Sequence, residues 1–148
     1  MSHADSKTVA RFSTIELQNP NTMNRFKNLV VWQQALELSV EVYRATEKFP
    51  KKEVYGLASQ MQRAGVSIPS NIAEGAARNH DGEFFHFLGI ACGSAAELAT
   101  QTIIAERLGY IEKDQADKIL GETEHIMNRV FKLQQQLETK HKKRPARS

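Results

Sequence analysis

From about Val30 onward, apolar residues recur every three or four positions, the period of a helix that turns one face to a core. A first predicted helix carries Trp32, Ala35, Leu36, Ser39, Val40, Tyr43 and Thr46 on one face and ends at Phe49–Pro50. A second, from about Lys52, repeats Val54, Leu57, Met61, Ala64, Ile68, Ile72 and Gly75. Pro69 lies inside it, and its ring opposes the carbonyl of Gly65, so a kink is expected near Gly65–Ile68. Asn79-His80-Asp81-Gly82 reads as a turn with Asp81 as the next N-cap. A third helix then runs from about Gly82 to Leu108, with Gly109 as its left-handed stop. The fourth, from Lys113 to about Lys140, has the cleanest stripe: Ala116, Ile119, Leu120, Ile126, Met127, Val130, Leu133 and Leu137. Short connections make neighbouring helices antiparallel. The expected fold is therefore all-α, an antiparallel up-down-up-down four-helix bundle with a kinked second helix. It is expected to occupy residues 26–139, between a flexible N-terminal arm (1–25) and a basic C-terminal tail (140–148).

The third helix breaks the pattern. Phe84, Phe85, Phe87, Leu88 and Ile90 cover nearly its whole circumference near the start, and Ile103 and Ile104 add a second apolar face later. A helix that is apolar all round needs cover on more than one side. Between those bulky ends lie Gly89, Ala91, Cys92, Gly93, Ser94, Ala95, Ala96 and Ala99, small enough for another backbone to come close. This composition predicts a homo-oligomer with the third helix in the interface, closed by symmetry.

Composition narrows the class further. The chain has 148 residues, 41% apolar, enough for a core of its own. Aromatic residues make up 7%, with 8 Gly and 4 Pro, sparse punctuation for a many-stranded β fold. The longest uncharged run, Phe84 to Ala96, is 13 residues, short for a bilayer span, so no membrane partner is expected. Residues 1–24 lack the apolar core of a secretory signal, and a single cysteine permits neither an intrachain disulfide nor a multi-thiolate zinc site. A reduced, cytoplasmic protein is the expectation.

Charge is unevenly spread. The net charge of +3 conceals a tail in which Lys140, Lys142, Lys143, Arg144 and Arg147 have no acid among them. Fifteen of the 20 basic residues and all 17 acidic ones fall in residues 1–139, which therefore carry −2. The pI of 9.1 describes a near-neutral body with a basic end. Such a tail can neutralise phosphates without reading sequence, or simply keep the chain in solution. Outside it, Arg44, Lys48, Lys51 and Lys52 surround the first inter-helix turn and Arg78 marks the second, at opposite ends of the expected bundle.

Catalytic signatures are missing. Two Glu-x-x-His motifs, Glu83…His86 and Glu122…His125, invite comparison with di-iron bundles, and Glu37, Glu41, Glu53 and Glu74 would be nominal partners. In an antiparallel hairpin, however, the motifs are offset by about 13 residues, roughly 20 Å, which one metal pair does not bridge. Cys92 sits among small apolar residues with no nearby base, as a packing cysteine does. The glycines match neither a phosphate loop nor a dinucleotide fingerprint. No enzyme activity, metal or cofactor is expected. The polar residues Arg63, Ser67, Asn71 and Glu74 on the second helix and Glu97 on the third, with Gln60, Ser94 and Gln101 nearby, read instead as a hydrogen-bonded set that fixes helix register.

The stretch Tyr55 to Gly75, YGLASQMQRAGVSIPSNIAEG, resembles the four helix bundle proteins also known as 23S rRNA intervening-sequence proteins. The resemblance continues through EFFHFLGIACGSAAELATQ (Glu83–Gln101), ERLGYI (Glu106–Ile111) and, upstream, FKNLVVWQQALEL (Phe26–Leu38). It covers roughly residues 26–138. Two departures stand out: Gln62-Arg63 where the family usually has two arginines, and Gly65 where it has alanine. The resemblance implies a homopentamer with a central channel. It also implies kinship with the pentameric accessory proteins of diversity-generating retroelements, which bind nucleic acid and a reverse transcriptase. The functional expectation is a non-enzymatic assembly binding RNA or DNA through Lys51, Lys52, Arg78, Lys140, Lys142, Lys143, Arg144 and Arg147. The alternative is an oligomeric scaffold for a protein partner.

Overall fold

The computed structural model describes residues 22–142, and within them the chain is helical, with no strand. A short helix α1 (Thr22–Lys27) precedes four long ones: α2 (Val30–Thr46), α3 (Leu57–Ala77), α4 (Asp81–Arg107) and α5 (Lys113–Lys142). A 3₁₀ turn at Lys51–Glu53 separates α2 from α3. α2 packs on α3, α3 on α4, α4 on α5 and α5 back on α2, so the long helices close a ring around one core. Leu38 and Val42, Met61, Ile68 and Ile72, Phe84, Leu88 and Leu98, and Ile119, Ile126 and Val130 fill it from the four sides. α1 packs mainly on α3 and takes Thr22–Arg25 out of the expected arm, with Arg25 buried. The rest of that arm lies outside the described residues.

The caps depart from expectation in instructive ways. α3 begins at Leu57 rather than near Lys52, because Glu53 reaches forward from the 3₁₀ turn and its Oε2 accepts from the Leu57 amide at 2.9 Å. Gly56 makes room for that carboxylate: a β-carbon there would stand 2.6 Å from Glu53 Oε2. Lys51 and Lys52 therefore precede the helix. At the next turn Asn79 takes the left-handed conformation (φ 56°), and His80, not Asp81, is the N-cap of α4. Its Nδ1 accepts from the Glu83 amide at 3.3 Å. Asp81 becomes the first helical residue and pairs with Lys140 at 3.4 Å. Gly109 (φ 76°) stops α4 as predicted, with Gly109 N donating to Glu106 O and Tyr110 N to Ala105 O, the paired bonds of a Schellman end.

The buried face of α2 is rotated from the predicted one. Val31, Ala35, Leu38, Ser39, Val42, Ala45 and Thr46 are inside, whereas Leu36, Val40 and Tyr43 are 39–46% exposed. Both sides of this helix carry apolar residues, so periodicity finds the helix but not its phase. α3 runs through Pro69 without a break. Proline has no amide to offer the Gly65 carbonyl, and Ser39 on α2 supplies the missing donor: its Oγ lies 2.7 Å from Gly65 O and 2.9 Å from Ala35 O. α4 is long and apolar enough to cross a membrane by length and composition, with 39% of its most apolar stretch buried. The 13-residue uncharged run understated it, because Glu97 is the lone charge interrupting the apolar segment from Phe84 to Ile104. α4 here packs between α3 and α5 and leaves its outer face open.

Two glycines in α3 predict opposite outcomes. A β-carbon at Gly75 would meet Phe87 Cβ at 2.6 Å and the Phe84 backbone at 3.4 Å, so Gly75→Ala is expected to cost about 1–3 kcal/mol. At Gly65 it would meet Val42 at an ordinary 3.6 Å, and Gly65→Ala is expected to stabilise by up to about 1 kcal/mol through helix propensity. Urea unfolding of the two variants checks both.

Candidate functional site

The candidate basic residues fall at two ends of the molecule. At one, the α2–α3 and α4–α5 connections meet: the Phe49 and Tyr110 rings lie 5.3 Å apart, and Tyr110 Oη donates to Glu53 Oε1 at 3.2 Å. Lys51 and Lys52 stand exposed here beside Arg44 and Lys48. Among the described residues, none of these four cations has an acidic partner. Lys113, at the start of α5, is different. Its ammonium is hydrogen-bonded at 2.8 Å to Asp117, and that bond and the carboxylate's charge raise its pKa above the ordinary lysine value.

At the other end, Arg78 closes α3 and Lys140 and Lys142 close α5. Arg78 is bound to Glu74 at 3.2 Å and stacks over Phe87, 5.4 Å from the ring centre; Lys140 is bound to Asp81. Both belong to structural pairs before they meet any ligand, although exposed pairs of this kind exchange readily with solvent. Lys142 is exposed. Lys140 and Lys142 are part of α5 rather than of a separate tail, and Lys143, Arg144 and Arg147 lie outside the described residues.

The predicted polar set separates into pieces. Ser67 Oγ and Ser94 Oγ are 2.8 Å apart, joining α3 to α4, and Asn71 Nδ2 donates to Ser67 Oγ at 2.9 Å and to Ser67 O at 2.8 Å. Gln101 Nε2 donates to Glu97 Oε1 at 3.1 Å within α4. Glu74 engages only Arg78, and Arg63 is exposed with no ion pair among the described residues. The structure thus brings Ser67 and Asn71 together and leaves Arg63, Glu74 and Glu97 out of that group. Sequence reasoning missed its counterpart between α2 and α3: besides the Ser39–Gly65 bond, Gln62 Nε2 donates to Thr46 Oγ1 at 2.9 Å. The signal available was Pro69 itself, which announces an orphan carbonyl four residues earlier.

A cleft of about 340 Å³ between α2 and α5 is lined by Gln33, Gln34, Glu37, Glu122 and His125. One of the two Glu-x-x-His motifs is therefore beside Glu37, but among the described residues no three His, Cys, Asp or Glu side chains converge as metal ligands. Cys92 is a free, half-buried thiol.

The family model for 23S rRNA-intervening sequence proteins matches residues 27–132, from the end of α1 through most of α5. The chain belongs to that family. Among solved structures, it is similar to a protein of unknown function from the S23 ribosomal protein family of Bacteroides thetaiotaomicron. The two share 23% sequence identity and superpose with a TM-score of 0.67 over 72% of this chain and 96% of that one. At that identity the likeness is one of fold. No curated protein is similar enough in sequence to match.

The serine pair generates a prediction. Ser67→Ala removes the group that holds both Ser94 and Asn71 and is expected to cost about 1 kcal/mol or more. Because the two hydroxyls share one bond, the Ser67→Ala/Ser94→Ala double variant is expected to lose less than the sum of the singles in urea unfolding.

Proposed function

We propose that this protein is a non-enzymatic, self-assembling antiparallel four-helix bundle that binds nucleic acid through basic residues at its ends. The observation that carries the reading is the run of Lys140, Lys142, Lys143, Arg144 and Arg147, five cations without an intervening acid. Membership in a family named for intervening sequences of 23S rRNA supports it. The antiparallel course is supported by contacts that join the end of α2 to the start of α3 and the start of α4 to the end of α5.

Assembly is supported by two separate uncovered faces. Leu36, Val40 and Tyr43 form an exposed apolar stripe on α2. On α4, Ile90, Ile103 and Ile104, with Leu108 just past the helix end, are 40–55% exposed around Gly89, Gly93 and Ala96. α2 and α4 stand diagonally across the ring of helices, so the two faces point away from one another. Different faces on opposite sides suit a heterologous contact, one face of a protomer on the other face of the next, which closes into a cyclic ring. The pentamer implied by the family resemblance is such a ring. Five copies would gather about 25 cationic side chains from residues 140–147 on one particle, turning a weak contact into a multivalent one.

The decisive measurement is fluorescence anisotropy with labelled RNA and DNA at about 50 and 200 mM salt, the interval over which counterion release is diagnostic. Binding that weakens steeply with salt is expected, and removal of residues 143–148 is expected to reduce both affinity and salt slope. Absence of binding at low salt overturns the reading. The exposed apolar faces would then favour the scaffold alternative, in which purification from cells yields a stoichiometric protein partner free of nucleic acid. Gly93 tests the ring. A β-carbon there meets nothing within 4 Å in the protomer, so Gly93→Leu is expected to leave the protomer folded while reducing the particle mass in light scattering.

A further inference from the structure

Tyr55 is 95% exposed, far more than any other large apolar or aromatic side chain among the described residues, of which Phe131 at 58% comes next. The stripe residues on α2 and α4 lie half-covered along helix faces; Tyr55 stands clear of the body on the α2–α3 turn. Val54 beside it is 55% exposed. The turn itself is anchored. Phe49 is buried against Tyr110, Glu53 N donates to Pro50 O and Val54 N to Lys51 O, and the Glu53 carboxylate holds the first amide of α3. Lys51 and Lys52 lie in the 3₁₀ turn itself, and Tyr55 follows two residues after its end, before α3 begins.

The charge around this aromatic is positive and available. Arg44, Lys48, Lys51 and Lys52 surround the turn, with Glu47 and Glu53 as the local acids. Both oxygens of Glu53 face inward, Oε2 to the Leu57 amide and Oε1 to Tyr110 Oη, so it offers the lysines no salt bridge. The cations at the opposite end differ in this respect, since Arg78 and Lys140 are already engaged by Glu74 and Asp81. A solvent-facing ring on an anchored turn, among unpaired cations, is complementary to a polyanion whose units also present a flat π surface. A second copy of this chain would meet cations on both sides of such a contact, and a regular duplex keeps its bases stacked internally.

Resting on the reading that this protein binds nucleic acid, we infer that the α2–α3 turn is a single-strand contact: Tyr55 stacks on an unpaired base while Lys51 and Lys52 meet the flanking phosphates. Stacking on an aromatic is tolerant of base identity, and the lysines add salt dependence. The contact therefore selects for strandedness rather than sequence. It also lies at the end of the molecule remote from Lys140 and Lys142, which makes the two basic regions separable by mutation.

The test uses the full chain with a labelled oligouridylate and an RNA duplex of the same length. Tyr55→Ala is expected to weaken single-strand binding about fivefold or more while leaving duplex binding unchanged, and Tyr55→Phe to restore it. Lys51→Gln/Lys52→Gln is expected to flatten the salt slope for the single strand. Wild-type binding that Tyr55→Ala leaves intact overturns the inference and leaves the broader reading standing, with the α5 end as the contact. Loss of particle mass in Tyr55→Ala by light scattering also overturns it, because the ring would then be a contact between copies. Wild-type protein that binds neither probe removes both readings together.

Discussion

At Gly75, α3 and α4 lie so close that a single methyl group would collide with Phe87 at 2.6 Å, and the rest of the molecule is arranged around that approach. Close contact there seats Phe84 in the core, and a little further along the same pair of helices Ser67 and Ser94 meet across the interface. Apolar packing tolerates small slippage, whereas a hydrogen bond between two part-buried hydroxyls does not. The shape of Gly75 and the polarity of Ser67 therefore act together: one sets the distance between the helices and the other their alignment. α5 then covers α4 and α2 covers α3, closing the ring.

The ring has an electrostatic consequence. Its two ends carry comparable numbers of cations, but their availability differs. At the α5 end Arg78 is paired with Glu74 on its own helix and Lys140 with Asp81 on α4, so both charges are already engaged. At the α2–α3 turn the local carboxylate is consumed by a helix cap, which frees the surrounding lysines. A count of basic residues treats these ends alike. The pattern of partners separates them.

Much of this was legible beforehand, and the exceptions have physical causes. The stripes of α3 and α5 were readable because one side of each helix is polar, leaving a single phase for burial. On α2, Leu36, Val40 and Tyr43 compete with Leu38, Val42 and Ala45, and only the neighbours decide which set goes inside. Gly109 announced itself because a left-handed stop favours glycine, while the choice of His80 over Asp81 as a cap depends on where Asn79 directs the chain. For the candidate site, the positions of Lys51, Lys52, Arg78 and Lys140 could be named from sequence, but whether each was free could not. The Lys140–Asp81 pair joins residues far apart in the chain, and local spacing contains no trace of it. Tyr55 was hidden for a related reason: the 3₁₀ turn breaks the helical phase before Leu57, so Val54 drops off the stripe it was expected to begin, and Tyr55 beside it stands in a turn rather than on the predicted helix.

Pro69 gives this architecture an indexing mark. A helix of uniform backbone can be packed against a neighbour one turn higher or lower with only modest change in side-chain contact. Here one carbonyl, that of Gly65, is left open by the missing amide, and one hydroxyl on α2 is placed to close it. A shift of α2 by a turn in either direction would bring Ala35 or Tyr43 to the position of Ser39, the first with no side-chain donor and the second with its hydroxyl at the far end of a ring. The covalent peculiarity of a proline on one helix thus becomes a positional instruction read by another, and the mispacked arrangements it forbids are those that hydrophobic matching alone would allow.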